Sequence, residues 1–180
     1  MRILIVYAGK NGTTKSCVER LVRQLGKKDV TVADLANGAV DPSEFDLVVF
    51  GSSVYFGKLR PLARAYLKTY ESVLCEKKLA LFLCCGLEGE YDYYREKLFS
   101  QRLRDAASFS AFFGGSLKTD GVPFWDKLIL RSMRSSLFEA DMDNGEYFAT
   151  LPTVLPENID KLASQICTMI TAEAARKIDN

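Results

Sequence analysis

The chain has no histidine in its 180 residues. That single absence removes Ser-His-Asp and Cys-His catalysis and most zinc sites at once. Cysteine is sparse and odd in number: Cys17, Cys75, Cys84, Cys85 and Cys167. An odd, scattered set argues against a disulfide framework, and Cys84-Cys85 is not a Cys-x-x-Cys redox pair. Free thiols, mostly buried, are the expected state. Charge of either sign is also lacking in excess. Lys and Arg number 24 against 23 Asp and Glu, so the net charge is +1. Nothing in that balance points to nucleic acid. No apolar run approaches the length of a membrane span, and the N-terminus enters a strand-like stretch without a basic, apolar, small-residue leader. The expected location is cytoplasmic. With so few catalytic side chains on offer, the protein either binds without reacting or takes its chemistry from a cofactor.

What is present is an ordinary globular composition, 48% hydrophobic and 26% charged, in a length that supports one domain with a full core. The informative stretch is Met1–Ser16, MRILIVYAGKNGTTKS. Arg2–Tyr7 is an apolar, β-branched run of the kind found in a strand buried on both faces. Ala8, Gly9, Lys10, Asn11 and Gly12 form a turn, and Thr13 and Thr14 open a helical pattern to Leu25. A strand, a Gly-containing turn and a helix N-terminus together expose backbone N–H groups at the positive end of a helix dipole, which suits a phosphate. Two Thr hydroxyls and the Lys10 charge add to it. An ordinary strand-to-helix turn with Thr as caps explains the same residues equally well. Neither the Walker loop nor the Gly-x-Gly-x-x-Gly fingerprint is present, so a single phosphate is the simplest ligand for this turn.

Further along, apolar and turn segments alternate. Cys17, Val18, Leu21, Val22 and Leu25 recur at helical spacing up to Gly26. Val30–Leu35 reads as a second strand, Asp41-Pro42-Ser43 as a turn, and Leu47–Phe50 as a third strand. The loop Gly51-Ser52-Ser53-Val54-Tyr55-Phe56-Gly57 follows. Pro61 starts a helix with Leu62, Ala65, Tyr66 and Tyr70 as its inner face. Leu79–Cys84 is a fourth strand and Cys85-Gly86-Leu87-Glu88-Gly89-Glu90-Tyr91 a further loop. One helix carries Tyr94, Leu98 and Leu103. Phe109–Leu117 is a fifth strand, kinked at Gly114-Gly115. Strands alternating with helices imply a parallel α/β sheet covered on both faces, with ligands at the carboxyl ends of its strands. Three loops follow strand ends: Ala8–Thr14, Ser52–Gly57 and Cys85–Tyr91. They are expected to meet on one edge, with Tyr55, Phe56 and Tyr91 flanking a flat ring. Taken singly, each aromatic is more simply explained by packing.

This layout resembles the flavodoxin-like family over most of the chain. The resemblance implies a doubly wound, three-layer sheet of five parallel strands in the order 2-1-3-4-5, and flavin mononucleotide (FMN) held in three such loops. The family's phosphate loop reads roughly Ser/Thr-x-Thr-Gly-x-Thr. Gly12 and Thr14 fall on its positions, and Gly9 and Lys10 replace its first hydroxyls. Gly86–Tyr91 looks like the third flavin loop and Val54–Gly57 like the second. Implied flavin contacts are Ala8–Thr14, Ser52, Ser53, Val54, Tyr55, Phe56, Gly57, Cys85, Gly86, Leu87, Glu88, Gly89 and Tyr91. Flavodoxin shuttles are strongly acidic and this chain is balanced. It also has an added segment, roughly 118–155, as in the menaquinone-dependent protoporphyrinogen dehydrogenases, which it resembles in the second loop and in a basic residue at Lys10. That likeness implies an oxidoreductase passing electrons from a reduced substrate to a quinone. The other reading is an electron carrier serving a redox protein. A receiver domain, the remaining class on such a sheet, needs acidic residues where Ala8-Gly9-Lys10 and Ser52-Ser53-Val54 stand. No side chain stands out as an acid or base; Glu88, Glu90 and Tyr91 lie in the third loop.

Within the added segment, Trp125, Leu128, Ile129, Met133 and Leu137 share one helix face, with Lys127, Arg131 and Arg134 beside or opposite it. Such a helix can rest on an anionic membrane surface, at the inner membrane face, cover a flavin edge, form an oligomer contact, or pack on its own domain. Glu139–Gly145 reads as a solvated acidic loop. Ile159, Leu162, Ala163, Ile166 and Ile170 form the core face of a closing helix.

Overall fold

The computed structural model describes residues 1–26, 28–85, 91–115 and 153–178. The helix expected around Trp125–Leu137, the acidic stretch 139–145, and Gly86, Leu87, Glu88, Gly89 and Glu90 all lie outside the described residues.

Strand β1 (Ile3–Ala8) is buried along its whole length. It lies between β2 (Val30–Asp34) and β3 (Leu47–Tyr55), parallel to both. Next to β3 comes β5 (Lys78–Cys84), and then β6 (Ala107–Phe112), again parallel. A two-residue strand, β4 (Lys58–Leu59), pairs antiparallel with the end of β3. The order is β2-β1-β3-β5-β6 with β4 off the path. The five parallel strands thus take the doubly wound order that the resemblance implied, and the sheet has a sixth, short member.

Side chains alternate along β1 and separate into two cores. Leu4, Val6 and Ala8 face the layer containing α2 (Pro61–Glu76), α3 (Tyr91–Leu98) and α4 (Gln101–Ala106). Ile3, Ile5 and Tyr7 face α1 (Thr13–Leu25) and α5 (Pro156–Ile178). Each fully buried Leu, Ile, Val or Phe contributes about 1.5–3 kcal/mol by leaving water. Cys17, Val18, Leu21 and Leu25 of α1 meet Ile159, Leu162, Ala163 and Ile166 of α5 in the second core, as the spacing predicts. Across the same helix pair, Arg20 donates to both carboxylate oxygens of Asp160 at 2.9 and 2.6 Å.

Four expectations need correction. The third strand runs on to Tyr55, because Val54 and Tyr55 find partners in Leu59 and Lys58. The inner face of α2 is Ala63, Tyr66, Leu67, Tyr70 and Leu74, whereas Leu62 and Ala65 are exposed. Tyr66 fixes that rotation: its ring stacks on Phe50 and its hydroxyl donates to the Val40 carbonyl at 2.9 Å. The helix expected across Tyr94–Leu103 is two, since the Ser100 hydroxyl caps α4 by accepting from the Leu103 N–H at 3.3 Å. The last strand occupies Ala107–Phe112; Gly114, at φ +69°, turns the chain so that it pairs with Val154. The Asp41 turn is as expected, with its carboxylate accepting from the Ser43 N–H at 2.8 Å. No helix among the described residues is long and apolar enough to cross a membrane.

Two outcomes follow from this packing. A Cβ on Gly51 would lie 1.9 Å from Phe82 Cζ, in a ring that is fully buried and stacked on Phe113. Gly51→Ala is therefore expected to lower stability by about 1–3 kcal/mol, read as a fall in the urea midpoint. Burial, then a hydrogen bond to the Asp34 carboxylate, raises the Tyr7 hydroxyl to about 12 from its ordinary 10.0. The raised value favours the neutral phenol in the folded state. Its stabilisation is complete below pH 10 and disappears as pH rises through about 12. Tyr7→Phe should flatten the loss of stability across that window, measured by urea unfolding at stepped pH.

Candidate functional site

Parallel pairing decides which loops meet. Ala8 is level with Ser52, and Ser53 is level with Cys84. The turn after β1, the end of β3 and the start of the loop after β5 therefore sit side by side on the carboxyl edge.

Gly12 is the N-cap of α1 at φ +81°, and no side chain caps the helix. The first intrahelical bond runs from the Ser16 N–H to the Gly12 carbonyl at 2.9 Å. The N–H groups of the first turn are left to whatever lies beyond the helix end. Gly9 is needed for close approach: a Cβ there would be 3.0 Å from Thr14 Cβ and 3.2 Å from its hydroxyl. Thr14 itself is buried, and its hydroxyl bonds to the Cys84 thiol. That hydroxyl is thus engaged inside the protein, between the turn and β5.

Thr13 behaves differently. Its Oγ1 is buried without a hydrogen-bond partner among the described residues, and the same is true of Ser53 Oγ. An unsatisfied buried hydroxyl costs about 1–3 kcal/mol. These two sit on the same edge, one at the head of α1 and one at the end of β3. Ser52, its neighbour, is satisfied internally: its hydroxyl donates to the Ser53 carbonyl at 3.0 Å and accepts from the Arg60 N–H at 3.3 Å. Ser52 thereby ties the hairpin to the start of α2.

The hairpin is what the sequence left as a loop. Phe56 and Gly57 connect β3 to β4 with φ of +50° and +65°. Positive φ at both loop residues is the requirement of the type I′ turn, which usually has Asn or Gly first. A Phe in that conformation is strained. Its ring is 38% exposed and meets Tyr55 edge-on at 4.3 Å between centroids. Lys10 joins the first loop to this one: its Nζ donates to the Tyr55 hydroxyl at 2.9 Å and lies 4.1 Å from the ring centre.

Of the third loop, Cys85 and Tyr91 are among the described residues. Cys85 is buried, and its N–H donates to the Gly114 carbonyl at 3.0 Å. Tyr91 heads α3 and lies against Phe112, ring centres 5.4 Å apart, with its hydroxyl near Ser110. Burial pushes that phenol upward. Tyr91 is thus engaged in packing, the simpler alternative for a single aromatic. Val54 also packs on the core and is half-buried. The Cys17 and Cys84 thiols are hydrogen-bonded, and that hydrogen bond together with burial raises the Cys84 thiol well above its usual range. All five cysteines are free, with Cys17, Cys84 and Cys85 buried.

A cleft of about 360 Å³ lies elsewhere, between Tyr91, Phe112, Asn158 and Lys161, and includes neither Thr13 nor Ser53. A smaller one, about 290 Å³, adjoins the hairpin. The sequence marked Lys10, Thr13, Ser53, Tyr55 and Phe56. It gave no sign of Arg60 and Arg64, which line the smaller cleft with Lys58 and belong to a stretch read only as a helix start. The strain at Phe56 has a direct consequence. Phe56→Asn should raise stability by about 0.5–1 kcal/mol by suiting the turn, measured by urea unfolding.

Residues 4–142, well over half of the chain, match the flavodoxin domain family. No curated protein sequence matches the chain. Solved structures similar to it include rubredoxin oxygen:oxidoreductase of Desulfovibrio gigas, with 16% identity over 77% of this chain and 35% of that one, at TM-score 0.49. The chain thus spans about a third of that protein. Flavodoxin of Fusobacterium nucleatum bound to flavin mononucleotide shares 16% identity over 67% of this chain and 74% of that one, at TM-score 0.46. Oxidised Flavodoxin 1 from Bacillus cereus shares 12% over 79% and 100%, at TM-score 0.48. On the strength of the family match, the chain belongs to the flavodoxin domain family.

Proposed function

We propose that this chain is an FMN-dependent oxidoreductase that takes electrons from a reduced small molecule and passes them to an acceptor such as a quinone. The observation that carries the cofactor is the pair of buried hydroxyls, Thr13 Oγ1 and Ser53 Oγ, on one sheet edge, without a partner among the described residues. A phosphorylated ligand with a polar ring fits what is there. Thr13 would donate to the phosphate together with the N–H groups that open α1, where the helix dipole favours an anion. Lys10 adds charge, and Gly9 keeps the turn low enough for backbone to approach. Ser53 would meet the ring's polar rim, and the Tyr55–Phe56 pair would flank its face. When bound, FMN supplies reversible acceptance of one or two electrons, which no residue on this edge offers by itself. The protein's share is to hold, orient and shield.

The balanced charge and the added segment favour an enzyme over a shuttle, and the resemblance of the second loop and of Lys10 makes protoporphyrinogen the specific substrate and menaquinone the acceptor. The added segment, with its aromatic and basic residues, would supply contact with a membrane surface where such a quinone resides. A carrier working with a redox protein is the competing reading.

Two measurements test this. Fluorescence quenching should show FMN bound more tightly than riboflavin, and Lys10→Met should weaken FMN about two- to fivefold while leaving riboflavin unchanged, as expected for one exposed charge. Equal affinity for the two flavins would remove the phosphate from the site. Holoprotein mixed anaerobically with protoporphyrinogen and a naphthoquinone should oxidise the first and reduce the second. Reduction by a flavodoxin reductase without such turnover would make the chain a carrier.

A further inference from the structure

The cleft of about 290 Å³ that adjoins the hairpin is walled by Tyr55, Phe56 and Leu59 and rimmed by Lys58, Arg60 and Arg64. Among the described residues, three cations and no carboxylate line it. None of the three forms an ion pair among the described residues. Arg60 lies over the Tyr55 ring, 5.6 Å from its centre, so one cation is stacked on the aromatic wall. Arg64 is one helical turn further on, its N–H donating to the Arg60 carbonyl at 3.0 Å, which puts both arginines on the same side of α2. The 16-residue helix itself begins here, at Pro61, with no acidic residue in its first turn and no side-chain cap. Its positive end is therefore uncompensated and adds to the same field.

Neutral proteins usually intersperse cations with carboxylates on their surface. Here, among the described residues, an apolar floor is surrounded by cations alone, and the concavity is at the lower edge of the size that holds a small molecule. A guanidinium fork such as that of Arg64 recognises planar, two-oxygen anions best. We propose that this cleft is the substrate's own subsite: it takes a flat, apolar small molecule through its carboxylate or other anionic group, with Arg64 and Lys58 as the anion's partners and the Tyr55–Phe56 wall against its body. The proposal rests on the oxidoreductase reading, because it places that substrate beside the hairpin that carries Tyr55 and Phe56. An anionic substrate anchored there would be positioned by charge, and its affinity would fall with salt.

The test uses 2-naphthoate, 2-naphthyl phosphate and the uncharged 2-naphthamide as probes, titrated by NMR into the FMN-reconstituted protein. Both anions are expected to bind at least about tenfold more tightly than the amide, the equivalent of about 1.4 kcal/mol, and to lose that advantage as salt is raised. The ratio of the two anions tells a carboxylate subsite from a phosphate one. Lys58→Glu with Arg64→Glu should erase the preference, and Lys58→Gln with Arg64→Gln should reduce it. Both positions are exposed, and FMN affinity and the unfolding midpoint should be unchanged in either double variant. Equal binding of all three probes, or a preference that survives the Glu variants, overturns the proposal. Loss of FMN binding would be seen separately, in the flavin titration. It would count against the oxidoreductase reading, while the probe comparison on the flavin-free protein still decides whether the cleft selects anions.

Discussion

Everything at the functional edge depends on one constraint, the level pairing of β1, β3 and β5. Parallel strands bonded in register put Ala8, Ser52–Ser53 and Cys84 at one level, where β1 and β5 end and β3 runs on two residues to Tyr55. Residues separated by tens of positions in the chain are thereby brought to one rim. The two cores on either face hold that register, since a slip of one residue would turn Ile3, Ile5 and Tyr7 away from α1 and α5. Gly51 belongs to the same constraint. It is the place where β3 thins to let the Phe82 ring cross beneath the edge.

On that rim, the polar groups divide into those that hold the protein and those left over. The Thr14 hydroxyl is engaged with Cys84, and the Ser52 hydroxyl with Ser53 and Arg60. Thr13 and Ser53, next to them in sequence, have buried hydroxyls with no partner among the described residues. Two neighbouring pairs, each with one satisfied and one orphaned member, are what a ligand site looks like before its ligand is counted. The strained turn at Phe56 adds a third local cost on the same edge. Such costs collect where function needs them.

The sheet was legible in the sequence because its strands are continuous apolar runs and its helices carry a clean 3.6-residue period. Arg2–Tyr7 and Leu79–Cys84 could hardly be anything but buried strands. Where local signals compete, the sequence was less informative. Val54 and Tyr55 look like loop residues until Lys58 and Leu59 pair with them, and that pairing depends on Phe56 accepting a conformation its side chain disfavours. Leu62 looks like an inner residue of α2, yet the fit of Tyr66 against Phe50 turns it outward. Among site residues, a hydroxyl's identity is visible but its partner is not. Thr13 and Thr14 read alike, and only packing tells which one faces a ligand. Arg60 and Arg64 carried no signal, because cations at a helix start normally mean only a solvated face.

The central claim is that the carboxyl edge of the sheet, through Thr13 and Ser53, is where the flavin's phosphate and ring are held. Backbone amide NMR during titration with FMN tests it most directly. The account predicts that the largest shifts fall on residues 9–15 and 53–57, with α5 and Lys161 at the larger cleft little changed. Shifts concentrated on α5 and around Lys161, with the amides of Thr13 and Ser53 unmoved, would contradict it.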